Sequence, residues 1–102
     1  MSRFEIFLPL RYSDGREVPR ELVAETTSQI QRRFVRATPK SEVMEGGCRQ
    51  GGLEYRGQVN RVFVDVEDTP ENRRFFIELK ARVKAEFEAL DVWMVSYPLE
   101  VL

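Results

Sequence analysis

The chain alternates short runs of aliphatic and aromatic residues with two longer amphipathic stretches. Phe4 to Leu8 has the aromatic and branched residues of a β-strand, and Pro9 ends that run. Between Pro19 and about Val35, apolar positions recur with the period of a helix. These positions are Leu22, Val23, Thr26, Ile30 and Phe34. The pattern predicts a first strand followed by an amphipathic helix with one face on a core.

The middle of the chain predicts extended structure. Glu42 to Arg49 is interpreted as an edge or bulged strand, because Gly46-Gly47 weakens it. Gln50-Gly51-Gly52 is typical of a hairpin turn. Leu53 to Glu67 then predicts one long strand, with Gly57 as the point where it would break. Its second half alternates most clearly, with Val62, Val64 and Val66 on one face and Arg61, Phe63 and Asp65 on the other.

A second helix and a last strand complete the pattern. Thr69 is a typical N-cap residue, Pro70 suits the first helical position, and Glu71 faces the positive end of the helix dipole. The apolar stripe that follows consists of Phe76, Leu79, Val83, Phe87 and Leu90. Val92 to Tyr97 predicts the last strand, which Pro98 ends.

The element order is therefore β-α-β-β-α-β. One antiparallel sheet of four strands with two helices on a single face, the ferredoxin-like α+β sandwich, satisfies this order with short, right-handed connections. A chain of 102 residues has the usual size of one domain, so we expect a single ferredoxin-like domain over residues 1–102.

Net charge and the length of the apolar runs restrict the classes of partner that this protein can bind. The 16 basic and 17 acidic residues leave a net charge of -1, which gives no general attraction to nucleic acids or acidic membranes. The apolar runs are too short to span a bilayer, and Met1 leads into a strand pattern without a signal-peptide profile. We therefore expect a cytoplasmic protein with no membrane partner and no nucleic-acid partner.

The residue types exclude several chemistries. There is no histidine, which removes Ser-His-Asp and Cys-His sites, histidine general bases and nearly all zinc sites. The single cysteine, Cys48, has no histidine to activate it. The acidic cluster Asp65, Glu67 and Asp68 is more typical of a solvated helix start than of a cation site. We expect no catalytic residue, no metal and no cofactor.

The loop from Leu10 to Val18 offers a second, weaker candidate. A glycine turn that leads into a helix can bind phosphate through backbone N–H groups, with help from nearby arginines. The residues around Gly15 are Arg11, Tyr12, Ser13, Asp14, Arg16 and Arg20. Pro19 removes one of these donors, which favours an ordinary polar loop.

Several short motifs resemble a group of small uncharacterised bacterial proteins. The resemblance implies the ferredoxin-like fold and implies no particular activity. The motifs are Pro9-Leu10-x-Tyr12-x-Asp14-Gly15, Glu45-Gly46, Gly52-x-x-Tyr55-Arg56 and the closing Tyr97-Pro98-Leu99-Glu100-Val101-Leu102.

The sheet face opposite the helices is the most informative predicted surface. A face that met only water would be polar at every alternate position, but here it includes aromatic residues. The predicted site residues are Glu5, Phe7, Tyr55, Arg61, Phe63 and Asp65, joined by Trp93 or Met94 according to register. We therefore expect a non-enzymatic interaction domain that forms a homodimer through this face, with the charged members as its polar fringe.

Two alternatives remain open from the sequence. The same face can be the floor of a ligand pocket or of an active site that works with carboxylates, tyrosines and arginines. Its residues would be Glu54, Tyr55, Arg61, Asp65 and Tyr97. A further alternative is that the hairpin at Gln50-Gly51-Gly52 projects as an arm whose edge pairs with a partner.

Overall fold

The computed structural model describes residues 1–12, 14–44, 48–50, 53–55, 58–88 and 92–102, with the backbone alone described for 48–50 and 53–55. The elements in chain order are β1 (Ser2–Pro9), α1 (Arg20–Arg33), β2 (Lys40–Met44), β3 (Cys48–Gln50), β4 (Leu53–Tyr55), β5 (Val59–Val66), α2 (Pro70–Glu86) and β6 (Trp93–Pro98).

Four of the strands form the main sheet, in the order β2-β5-β1-β6 with every neighbouring pair antiparallel. The two helices pack on one face of this sheet, so the predicted ferredoxin-like α+β architecture is confirmed. β1 and β5 are central, and β2 and β6 are the two edges. Central strands are the natural place for the strongest apolar alternation, which the sequence shows in these two segments.

The core lies between the main sheet and the helices. Phe76 of α2 stacks on Phe4 of β1, with ring centroids 4.3 Å apart. The sheet supplies Phe4, Ile6, Leu8, Val62, Val64 and Val66, and the described helical residues in the core include Ile30, Phe76, Leu79 and Val83. Phe87, just beyond α2, is buried as predicted, whereas Leu90 lies outside the described residues.

The stretch from Leu53 to Glu67, predicted as one strand that would break at Gly57, forms two strands that belong to different sheets. Leu53–Tyr55 forms β4, which pairs with β3 in a separate sheet of two strands, and the main-sheet strand β5 begins at Val59. The edge strand β2 also begins earlier than predicted, at Lys40, and its described span ends at Met44. The glycines at 46, 47, 51, 52 and 57 lie outside the described residues.

The register defines the face of the main sheet that the helices leave uncovered, called here the helix-free face. Residues directly opposite one another on antiparallel strands share a face. Phe7 pairs with Arg61 on one side and with Trp93 on the other, so Trp93 rather than Met94 lies on this face. The helix-free face consists of Arg3, Glu5, Phe7, Lys40, Glu42, Arg61, Phe63, Asp65, Trp93, Val95 and Tyr97.

Neither α1 nor α2 combines the length and apolar character needed to cross a bilayer, and the same holds for all helical structure within the described ranges.

Candidate functional site

A buried carboxylate organises the centre of the helix-free face. Glu5 is 2% exposed and accepts hydrogen bonds from Arg61 Nη2 and, at 2.5 Å, from the Tyr97 hydroxyl. Arg61 also donates to Glu42 at 2.8 Å. Burial disfavours the charged form of Arg61, but its hydrogen bonds to Glu5 and Glu42 outweigh this cost and raise the pKa of the guanidinium. The network is internally satisfied, which is the condition for keeping a charge away from water.

A second ion pair lies beside it on the same face. Arg3 donates to both oxygens of Asp65, at 2.8 and 3.1 Å, and the hydrogen bond to Asp65 raises the pKa of Arg3. The guanidinium carbons of Arg3 and Arg61 lie 4.8 and 4.0 Å from the centre of the Phe63 ring. Contacts of this kind are cation–π interactions. The arginines therefore cover part of the aromatic surface that the sequence predicts to be open.

Phe7 corrects the sequence-based expectation. It lies on the predicted face, but it is only 1% exposed, so its ring offers no surface to a partner. Alternation along a strand assigns a residue to a face and gives no information on what covers it. The aromatic surface that stays open is smaller than expected: Phe63 and Trp93 are half-buried, and Tyr97 is 38% exposed.

Tyr55 and Glu54 do not join the predicted face as residues of the main sheet. Both belong to β4, and their backbone pairs with Cys48 and Arg49 of β3. Their side chains lie outside the part of the chain that the structure describes. The structure thus brings together five of the six predicted site residues, Glu5, Phe7, Arg61, Phe63 and Asp65, on one face of one sheet.

The loop after β1 closes on itself. Gly15 has a φ of +92°, and its N–H donates to the carbonyl of Tyr12. The Asp14 carboxylate accepts from the Arg16 backbone N–H at 3.0 Å and from its guanidinium at 2.6 Å, and these bonds lower the pKa of Asp14. Arg16 is therefore engaged within the loop, as in an ordinary polar turn.

A concavity lies on the other side of the main sheet, between α1 and the edge strand β2. We call it the α1–β2 cleft, and its volume is about 740 Å³. One wall is a stripe of α1 at the spacing of a single helical face. The lining residues are Arg20, Val23, Ala24 and Thr27 of α1, Ser41 and Val43 of β2, Asn60 of β5, and Leu10, Arg11, Glu17, Val18 and Gln58 outside these elements.

The cleft exists because α1 leaves the helix side of β2 uncovered. Val43 pairs with Asn60, which puts both residues on the helix side of the sheet. Val43 is nevertheless 58% exposed, and Ser41 on the same side is exposed too. The buried residues of α1, Thr26 and Ile30, lie on a different stripe of the helix from the cleft wall. The helix therefore packs on the core with one stripe and borders the cleft with the adjacent one, and Val23 contributes to both.

Asn60 is the unusual group in the cleft. Its Oδ1 is shielded from solvent and accepts no hydrogen bond from any residue within the described ranges. Leaving a buried acceptor without a donor costs about 1–3 kcal/mol. The sequence analysis did not single out Asn60, although a signal was present: it is the polar residue in the row of alternate positions that continues as Val62, Val64 and Val66.

Comparisons with known proteins bear on the fold. Protein-family profiles give no match to this chain, and curated proteins give none either. Among solved structures, the chain is similar to a phage SAM lyase in complex with S-methyl-5'-thioadenosine, with a TM-score of 0.61 and 17% sequence identity. The alignment covers 94% of this chain and 79% of the lyase chain. At this identity the likeness establishes a shared fold.

Proposed function

We propose that this protein binds a small organic molecule of about nucleoside size in the α1–β2 cleft. The observation that carries the proposal is the Oδ1 of Asn60, a buried acceptor without a described donor, on a residue that lines a cleft of about 740 Å³. Pockets for small ligands usually measure about 300–1,000 Å³. Buried polar groups in folded proteins almost always have a partner. Because water does not reach Oδ1, we propose that the Asn60 side chain turns toward the cleft when a ligand donor binds it.

The composition of the cleft supports the same proposal. Val18, Val23 and Val43 provide apolar surface, and the hydroxyl of Ser41 lies among them. A mostly apolar lining with a few polar groups is the usual construction of a ligand site, because the apolar area supplies affinity and the polar groups fix orientation.

The fold comparison suggests the ligand class. The phage SAM lyase of the same fold was solved with S-methyl-5'-thioadenosine, an adenine nucleoside. The exocyclic amino group of adenine is a hydrogen-bond donor, and the side chain of asparagine is a common partner for the edge of this base. We therefore propose an adenine nucleoside as the ligand, with its base facing Asn60.

Isothermal titration with adenosine and S-methyl-5'-thioadenosine tests this proposal. The wild-type protein is expected to bind both, and Asn60→Leu is expected to weaken binding by about tenfold, the usual effect of one lost hydrogen bond. The same substitution should leave the free energy of unfolding equal or higher, because leucine places no unpaired acceptor at this position. Incubation with S-adenosylmethionine, followed by chromatography for S-methyl-5'-thioadenosine, shows whether the function extends from binding to catalysis.

Gln29 provides the matched control. Its Oε1 is also buried without a donor among the described residues, but it does not line the cleft. Gln29→Leu should therefore change stability in the same direction as Asn60→Leu and leave nucleoside affinity unchanged. Equal affinity in the wild type and Asn60→Leu, or no binding by the wild type, contradicts the proposal.

Self-association through the helix-free face is a second candidate function. The observation that favours it is that the charges on β1 and β5 are already paired, as Arg3 with Asp65 and Arg61 with Glu5. Lys40, exposed on the edge strand β2, has no ion pair among the described residues. A second copy can cover the part of this face formed by β1, β5 and β6, including the half-buried Val95, without leaving an unpaired charge.

Light scattering at high micromolar concentration tests this candidate. We expect a homodimer that Val95→Arg dissociates, because the new charge would be buried between the two copies. Val35→Arg is the control, since Val35 is 80% exposed just beyond the end of α1 and is not part of the helix-free face. A strictly monomeric wild type removes the candidate.

A further inference from the structure

We infer that the ligand of the α1–β2 cleft carries an anionic group, and that Arg20 holds this group at the mouth of the cleft. The inference deepens the proposed function and rests on it. It assigns a ligand class, a nucleoside with a carboxylate or a phosphate at one end, rather than a neutral nucleoside.

Arg20 is placed to bind an anion and has none. It lines the cleft, it is exposed, and it forms no ion pair with any residue in the described ranges. Arg16 and Arg73 on the same surface pair with Asp14 and Asp68. Arg36 also has no ion pair within the described ranges, but it does not line the cleft. A guanidinium with free donors is well suited to carboxylate and phosphate oxygens, which it binds in a bidentate manner.

The backbone at the start of α1 adds to the positive electrostatic potential near Arg20. Arg20 is the first residue of α1, a helix of 14 residues, and its N-cap residue Pro19 makes no side-chain capping hydrogen bond. The N–H groups of a first turn point out of the helix end, where they favour negative charge. Arg20 at this helix end and Val18 just before it both line the cleft, while the Leu22 N–H of the same turn donates to the Pro19 carbonyl.

The net charge of the side chains that line the cleft is positive. Three charged side chains line the cleft: Arg11, Arg20 and Glu17. Glu17 lies 3.7 Å from Arg11, so the negative charge is offset by the neighbouring guanidinium. One positive charge, that of Arg20, is left without a counter-ion among the described residues. A ligand that is apolar in its body and anionic at one end therefore matches both the apolar and the charged lining of the cleft.

Titration with three probes tests the inference. Adenosine is the neutral probe, adenosine 5'-monophosphate carries a phosphate, and adenosine 5'-carboxylic acid carries a carboxylate. At low ionic strength we expect at least one anionic probe to bind about tenfold more tightly than adenosine, an advantage that high salt reduces. If the phosphate probe binds more tightly than the carboxylate probe, the ligand carries a phosphate; the reverse order indicates a carboxylate.

Arg20→Gln should abolish the difference between the anionic and the neutral probes. Arg36→Gln, which makes the same change in net charge at an exposed position outside the cleft, should retain it. The inference is overturned if adenosine binds as tightly as both anionic probes, or if the anionic probes keep their higher affinity in Arg20→Gln. In either case, adenosine binding that depends on Asn60 still supports the proposed function. If none of the three probes binds, the proposed function itself is wrong.

Discussion

Glu5 shows how a single buried charge constrains its surroundings. An ionised carboxylate removed from water is costly unless several donors replace its hydration. Arg61 and Tyr97, from the two strands beside β1, provide these donors. The carboxylate thus ties β5 and β6 to β1 through side chains as well as through the backbone. The sequence placed Glu5 and Arg61 on one face, but alternation alone did not distinguish a buried network from a polar fringe.

The two carboxylates that share Arg61 permit a matched comparison. Glu5→Ala should lower the free energy of unfolding by about 3–5 kcal/mol, because it leaves a partly buried guanidinium without its inner partner. Glu42→Ala removes the outer partner, whose side chain is 55% exposed, and should cost at most about 1 kcal/mol. Denaturant unfolding of both variants measures the difference. Equal losses would show that the burial of Glu5 contributes nothing.

The ion pair of Asp68 with Arg73 should make part of the folding stability depend on pH in the acid range. Asp68 accepts two hydrogen bonds from Arg73, at 2.6 and 2.8 Å, which hold the pKa of Asp68 below its ordinary value of 3.8. A carboxyl group with a lowered pKa in the folded state contributes stability above its unfolded-state pKa and loses it as the pH falls through the folded value. Asp68→Asn should therefore be less stable than the wild type near neutrality, and the two should converge in strong acid.

Glu67→Gln is the control for this pH dependence. Its exposed side chain forms no ion pair within the described part of the chain, so its unfolding curve should follow that of the wild type at every pH. Thermal unfolding across the acid range gives both comparisons. A gap between the wild type and Asp68→Asn that persists unchanged into strong acid would contradict the assignment.

At the scale of elements, the residue types near each helix N-terminus predicted where the helices begin to within one residue. Thr69 caps α2 as predicted, by accepting a hydrogen bond from the Asn72 N–H at 3.1 Å, and Pro70 is the first helical residue. Helix α1 differs from the prediction: Pro19 is its N-cap residue, and the helix runs from Arg20 to Arg33. Caps depend on one or two side chains, so the sequence specifies them directly.

Thr69→Ala tests the cap of α2. Loss of the side-chain acceptor should lower the free energy of unfolding by about 1 kcal/mol. Ser28→Ala, in the exposed middle of α1, is the control and should be neutral or slightly stabilising, since alanine has the higher helix propensity. Denaturant unfolding distinguishes the two. A neutral Thr69→Ala would mean that the cap carries no stability in this protein.

The strands were harder to predict than the helices. An alternating pattern indicates a strand and its two faces, but it does not name the partner strand. The segment from Leu53 to Tyr55 has the same pattern as β5, yet it pairs with β3 in a separate sheet. Strand pairing depends on contacts between distant parts of the chain, and a local sequence pattern does not specify these contacts.

At the scale of the whole molecule, the two candidate surfaces lie on opposite sides of one sheet. The helix-free face carries the buried network around Glu5, and the α1–β2 cleft lies on the helix side. The sequence predicted the layers but not the cleft, because the distance between α1 and β2 depends on how the helix sits on the core. Asn60 became a candidate only when the register placed it beside Val43.

The most direct test of the account is an NMR titration of the isotopically labelled protein with adenosine. We predict that resonances of Ala24, Val43 and the Asn60 side-chain amide shift together and saturate. The indole N–H of Trp93, the single tryptophan, lies on the opposite face and should not move. Absence of any shift at millimolar adenosine, or shifts centred on Trp93 instead of the cleft, would contradict the account.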